Sequence, residues 1–240
     1  MFTALQYRIL RQVAPGEPQG MDGSAYANKS KLEVLLGPML PDLRGKVVVD
    51  FGCGEGGESA ELVEKGAKVY GVDIREDVLA IARSRCPEAW FGFAEQLPEK
   101  ADYIISLDSF EHFGDPAAIL AIMARLLKPG GHVLTSFGPT WYHPLGGHLF
   151  SVFPWSHILF SEAALIRWRS DIRSDGATRF SECAGGLNQM TIRRFERLVE
   201  ASPLRIDSME CKPIRRTDRF HNRMTRELLT AIVRCKMTPR

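Results

Sequence analysis

The chain has 240 residues, 45% of them hydrophobic and 25% charged, which is enough apolar material for one good core, most simply a single domain with embellishments. Its five cysteines (Cys53, Cys86, Cys183, Cys211, Cys235) are scattered and form no C-x-x-C pair, which argues against a disulfide framework or a zinc knuckle and suits a reducing compartment. No apolar run approaches the roughly 20 residues that span a bilayer and the N-terminus shows no secretory pattern, so a cytoplasmic protein is expected.

The net charge of +2 hides an asymmetry: residues 1–160 hold 14 Lys+Arg against 19 Asp+Glu, and residues 161–240 hold 17 against 10. A basic tail (Lys212, Arg215, Arg216, Arg219, Arg223, Arg226) can meet nucleic acid, anionic lipid or a phosphorylated substrate, or simply be a solvated surface. It lacks the aromatic interleaving that stacks bases, so nucleic acid is a minor alternative.

In chain order, Phe2, Leu5, Ile9, Leu10 and Val13 have helical spacing and predict a helix over 1–13. A breaker loop follows over 14–20, then a helix over 24–36 stopped by Gly37-Pro38. Val47-Val48-Val49 reads as a buried parallel strand running into Asp50 and then Gly52, Gly54, Gly56 and Gly57. A helix over 58–65 ends at Gly66, and the strand 68–73 ends in Asp73.

Strand, glycine turn and helix make a nucleotide cradle. Gly52, Gly54 and Gly57 satisfy G-x-G-x-x-G, and Asp73 stands where an acid can accept hydrogen bonds from two ribose hydroxyls. Those features fit both NAD and S-adenosylmethionine (SAM). Asp50 separates them. A carboxylate beside the glycines suits the ammonium and sulfonium of SAM and would repel the pyrophosphate of NAD.

Beyond the cradle, a helix is expected over 75–85, with Val78, Leu79, Ile81 and Ala82 facing inward, and a strand over 89–93. The strand over 102–107 ends in Asp108-Ser109-Phe110-Glu111-His112-Phe113, at the carboxyl edge where open α/β sheets bind ligands. A helix over 116–127, a tight turn over 128–131 and a strand over 132–137 complete this part. Residues 138–190 break the alternation with an aromatic, histidine-bearing loop, an apolar stretch over 149–160 and a helix beginning at Ser161. A long insertion on the substrate side is expected to be a lid that selects the acceptor. The pattern resumes with a helix over 191–201, a strand over 204–210, a short helix ending near Leu229 and a closing strand over 230–237.

These residues resemble the class I SAM-dependent methyltransferases. The matching segments are VVVDFGCGEG, VYGVDI, AEQLP, DYIISLDSFEHF and LLKPGGHVLTSF, in that family's order and spacing, strongest over 45–137. The resemblance implies a Rossmann-like, doubly wound α/β fold: a mostly parallel seven-stranded sheet with an antiparallel C-terminal hairpin and a lid insertion. Residues 1–40 would be cap helices over the cofactor cleft, with Tyr26 packing under the lid, 45–137 the SAM-binding core, 138–190 the lid, and 191–240 the last helix and closing strands. SAM is implied to lie along Asp50, Gly52, Cys53, Gly54 and Gly56, with Asp73, Ile74, Ala94, Glu95, Leu107 and Asp108. Phe93 stands where the family usually carries the acid that receives the adenine amino group, which leaves that contact to the backbone at Ala94 and to Glu95.

Methyl transfer from a sulfonium is an in-line displacement, so the chain mostly aligns two partners and excludes water. A hydroxyl acceptor must also lose a proton, and histidine does that near neutral pH. His112 is the first candidate, with His143 and His148 in the lid next. Asp108, Glu111 and His112 are similar to the E-x-x-E-H group that binds magnesium in ubiquinone-pathway and small-RNA methyltransferases. Asp108 is shorter than the glutamate of that pattern, and no metal is assigned. Core packing is the simplest account of Phe150, Val152, Phe153, Ile158 and Leu159. An acceptor pocket or a membrane contact toward a lipid-linked acceptor are the other uses of that stretch. The expected activity is methylation of a small molecule, more readily at oxygen. The alternatives are an RNA or tRNA methyltransferase, a non-catalytic SAM-binding protein, and an NAD-dependent dehydrogenase.

Overall fold

The computed structural model describes residues 2–16, 29–183 and 186–240. Among them, seven strands form one sheet: β1 (Val47–Phe51), β2 (Lys68–Val72), β3 (Trp90–Gly92), β4 (Ala101–Leu107), β5 (Leu127–Phe137), β6 (Leu204–Pro213) and β7 (Thr230–Pro239), in the order β3-β2-β1-β4-β5-β7-β6. β1 to β5 are mutually parallel, and β7 runs antiparallel to both β5 and β6. This is the fold expected from the sequence.

Every residue of β1 is buried, because both faces of a central parallel strand are covered. Val47, Val49 and Phe51 face an apolar layer with Leu120 and Met123 of α5 (Pro116–Leu126) and Ile192, Phe195 and Val199 of α8 (Ile192–Glu200). Val48 faces the other layer, with Leu32, Leu35 and Leu36 of α2 (Lys31–Leu36) and Leu62 of α3 (Gly57–Glu64). The period of two in the strand thus divides the core between two helix layers.

Helix α2 begins later than the sequence suggests. Ser30 is its N-cap, accepting from the Glu33 N–H at 3.0 Å, so Lys29 and Ser30 precede the helix rather than extend it. Residues 24–28, Tyr26 included, lie outside the described residues. The carbonyls at the end of α2 are held by a buried arginine from β7: Arg234 Nε donates to Leu35 O at 2.7 Å, Nη2 to Val34 O at 2.8 Å, and Nη1 to Glu210 Oε2 at 2.8 Å. The anchor fixes α2 against the sheet.

Helix α1 (Phe2–Val13) packs on α7 (Glu162–Arg169) of the insertion, not on the cofactor cleft as expected. Leu10 and Ala14 enter a third apolar cluster with Phe150, Leu165, Trp168 and Phe180, and Trp168 Nε1 donates to Ala14 O at 2.8 Å. In α4 (Glu76–Arg85), Val78, Leu79 and Ala82 are buried, whereas Ile81 is exposed because it lies about 100° off their stripe. The expected turn over 128–131 is absorbed into β5 as an irregularity opposite Ala101–Tyr103. In α6 (Ser156–Leu159), Ile158 and Leu159 are exposed, so core packing accounts for Phe150 but not for them.

Candidate active site

The turn after β1 leans on the end of β2: the N–H groups of Gly52 and Cys53 both donate to Val72 O, at 2.7 and 3.0 Å. Asp73 holds the next residues, its Oδ2 accepting from the Gly54 N–H and its Oδ1 from the Arg75 N–H, each at 3.0 Å. Gly52 and Gly54 have φ of 83° and 50°, the left-handed region that L side chains avoid. A Cβ on Gly52 would lie 2.7 Å from Ser109 Oγ, while one on Gly54 would project into open space. The loop is therefore tight on the β4 side and open where a ligand would approach.

That open space is a pocket of about 300 Å³ lined by Lys31, Asp50, Gly52, Cys53, Gly54, Glu58, Leu107 and Asp108, among others. Asp50 is buried at its base. Ser59 Oγ donates to Asp50 Oδ2 at 2.6 Å, and burial pushes the carboxyl up to about 7. Lys31 Nζ bridges Glu58 and Asp108, at 2.9 and 3.4 Å, and these two carboxylates hold its ammonium above the usual range against the opposing effect of burial. Acids outnumber cations around this cleft, which fits a ligand carrying positive charge and disfavours a pyrophosphate. The residues present fit SAM.

Six of the expected cofactor residues line the pocket: Asp50, Gly52, Cys53, Gly54, Leu107 and Asp108. Asp73 supports the loop from the side. Gly56 packs against Ala82 and Phe91, Ile74 is exposed, and Ala94 and Glu95 sit on a short turn after β3. Lys31 and Glu58 escaped the sequence reading. Lys31 arrives only because α2 docks on the sheet, and no local pattern announces that.

The second half of the site lies beyond Asp108, where β4 ends. Glu111, His112 and His148 each bring one ligand atom to within 4.8 Å of the others. His112 Nδ1 is 2.8 Å from Gly186 O, and its ring stands edge-on to that of His148, centroids 5.2 Å apart. Glu111 is only 2% exposed. Its Oε1 accepts weakly from the Gly138 N–H at 3.4 Å, and its Oε2 is buried without a partner. Burial, with the Asp108 charge, pushes Glu111 up to about 8. His148 Nε2 is also buried without a partner, and burial lowers this imidazole to about 4.

The end of the 138–190 insertion is pinned to this turn by Asn188, whose N–H donates to Glu111 O at 2.9 Å and whose Nδ2 donates to Phe110 O and Phe113 O at 2.6 and 2.9 Å. His143 is outside the three-residue cluster. Its Nδ1 accepts from the Leu145 N–H at 2.9 Å, which makes it an organiser of its own turn. His157 does similar work, between Ser151 Oγ at 2.9 Å and Trp141 O at 2.7 Å. Asp108 does not join the cluster; His148 of the insertion does, so the three groups come from two segments. They can hold a divalent cation or handle a proton.

A family model described as a methyltransferase domain matches residues 24–208. Ubiquinone biosynthesis O-methyltransferases are similar over part of the chain: that of Pseudomonas paraeruginosa is 38% identical over 104 residues, and that of Stutzerimonas stutzeri 36% over 104. In both cases the match covers 39% of this chain and 45% of the relative, so the chain spans less than half the length of the curated relatives it matches. Among solved structures, a TehB-like SAM-dependent methyltransferase from Corynebacterium glutamicum shares the fold with a TM-score of 0.54 at 16% identity, over 99% of both chains. A SAM-dependent methyltransferase from Mesorhizobium loti does so with a TM-score of 0.56 at 18% identity, over 91% of this chain and 99% of that one. With the family match covering most of its length and the fold in agreement, this chain belongs to the class I SAM-dependent methyltransferase domain family.

Proposed function

We propose that this chain methylates a hydroxyl oxygen of a small-molecule acceptor held between the turn after β4 and the lid. SAM, when bound, supplies a methyl group already activated on a sulfonium. Asp50 would face its positive groups and Asp73 its ribose hydroxyls. What remains for the chain is to align the acceptor, exclude water and take one proton.

One observation carries the assignment of that proton. Gly186 O can only accept, so His112 Nδ1 must be the protonated nitrogen, and Nε2 keeps its lone pair for the acceptor hydroxyl. Oxygen as the methylated atom is supported by the partial similarity to proteins named O-methyltransferases.

The test is incubation with isotope-labelled SAM and a panel of phenols, catechols and aliphatic alcohols beside matched amines, read by mass spectrometry. Label on an oxygen is the expected result. Label on amines only would overturn the assignment, and S-adenosylhomocysteine binding without transfer to any acceptor would favour the non-catalytic reading.

A second reading draws on the buried, unpartnered Glu111 Oε2 and His148 Nε2. A divalent cation held by Glu111, His112 and His148 would stabilise the acceptor as its oxyanion, and two imidazoles with one carboxylate suit Zn²⁺ or Mn²⁺ better than Mg²⁺. Turnover lost to a chelator and restored by added metal would favour this reading; turnover indifferent to the chelator leaves His112 as the base.

A further inference from the structure

Ser59 is the third residue of α3 and is fully buried. Its hydroxyl donates to Asp50 Oδ2 at 2.6 Å, the short contact expected of a hydroxyl on a carboxylate. Alanine would fill the same space and favours a helix more strongly than serine does. Neither packing nor propensity therefore calls for a hydroxyl at this position, and Asp50 is what it serves.

Asp50 lines the cofactor pocket and is only 3% exposed. Charged and titratable groups surround it. Lys31 comes from α2, Glu58 from α3, Asp73 follows β2 and Asp108 follows β4, with the Cys53 thiol in the adjoining loop. Glu55 and Arg85 also line the pocket and pair with each other at 3.0 Å. Lys31 favours the Asp50 anion, but Glu58 and Asp108 share that ammonium, while Glu58 and Asp73 repel the anion. Burial also favours the neutral acid, which could not answer a sulfonium or an ammonium. The Ser59 hydroxyl works against both effects. As a donor without charge, it supports the carboxylate and adds no cation to repel the ligand.

We propose that Ser59 is a positioning residue of the cofactor site: by donating to Oδ2 it keeps Asp50 charged and turned so that Oδ1 is left for the positive groups of SAM. The inference rests on the reading that Asp50 faces those groups. It does not depend on which acceptor is methylated.

The test is titration calorimetry of the parent, Ser59→Ala, Asp50→Asn and the double variant with SAM at pH 6, 7 and 8. Comparing chains at one pH cancels the titration of SAM's own amine. Losing one hydrogen bond to the charged form should move Asp50 ionisation about one pH unit higher. Ser59→Ala should then bind about ninefold more weakly than the parent at pH 6, about fivefold at pH 7 and about twofold at pH 8. Ser59→Cys, whose thiol donates only weakly, should fall between the two. In the Asp50→Asn background, Ser59→Ala should change affinity by less than about twofold at every pH. A loss of equal size at pH 6 and pH 8 would overturn the proposal and leave Ser59 a structural residue. A loss that persists in the Asp50→Asn background would overturn it too. Asp50→Asn binding SAM as tightly as the parent at pH 8 would instead overturn the reading of Asp50 on which the proposal rests.

Discussion

Asp50 should make cofactor binding depend on pH in a way that can be counted in protons. Burial pushes its carboxyl up to about 7; the Ser59 hydrogen bond and Lys31 oppose the shift, and Glu58 and Asp73 add to it. In the empty chain the group is then about nine-tenths protonated at pH 6, half at pH 7 and one-tenth at pH 8. A sulfonium and an ammonium call for the carboxylate. Binding of SAM should therefore release close to one proton at pH 6 and about a tenth of one at pH 8, with apparent affinity rising about tenfold between them. Titration calorimetry in two buffers of different ionisation enthalpy measures both quantities. The sign for stability is the reverse. The folded chain holds this proton more tightly than the unfolded chain, whose carboxyl titrates near 3.8, so stability is undiminished below about pH 4 and falls as pH climbs to about 7. Above that the penalty is roughly 4 kcal/mol. Asp50→Asn removes it, so at pH 8 the variant should melt higher than the parent while binding SAM more weakly and without pH dependence. Proton-free binding of equal strength at pH 6 and 8 would refute the reasoning.

Three further substitutions probe the remaining parts. Asp73→Ala removes an acceptor that also holds the Gly54 N–H, and should weaken S-adenosylhomocysteine binding about tenfold to a hundredfold by calorimetry. His112→Ala should leave that binding intact and lower kcat by about 10² to 10⁴, read on whichever acceptor the labelling screen identifies. Arg234→Met deprives the α2 carbonyls and Glu210 of a buried cation and should cost about 3–5 kcal/mol in urea unfolding, with hydrogen exchange rising first in α2.

Much of the sheet was legible because its signals are local. Val47-Val48-Val49 is buried on both faces, Asp73 closes the next strand, and the glycines between them can serve few purposes besides a sharp turn near a ligand. The cofactor half of the site inherits that legibility. What escaped was set by tertiary docking. The helical spacing of α1 marked Phe2, Leu5, Ile9, Leu10 and Val13 as apolar, yet Leu10 alone of that set is buried, because a spacing cannot say which face finds a partner. Lys31 has no motif of its own, and its place in the cleft depends on Arg234, 203 residues further along the chain. The same holds in the 138–190 insertion. His143 and His148 are five residues apart and look equivalent as candidates, but the fold spends His143 on a backbone N–H and sends His148 to His112.

The end of β1 and the turn after β4 share physical features that make them candidates for a functional site without any likeness to other proteins. Two buried cations elsewhere have charged partners: Arg234 meets two carbonyls and a carboxylate, and Arg169 meets Asp175 with two 2.6 Å bonds. Asp50 in β1 and Glu111 after β4 are instead carboxyls whose burial raises them toward neutrality, and Glu111 Oε2 and His148 Nε2 have no hydrogen-bond partner. Asp108 and His148 also hold φ of 47° and 50°, a conformation that is costly for residues with a Cβ. Unanswered polar atoms and strained backbone both reduce stability, and a fold retains them where a bound group repays the loss. Here they fall at the pocket under Gly54 and at the Glu111–His112–His148 cluster beyond Asp108, the two places where the proposed transfer would need a donor and an acceptor.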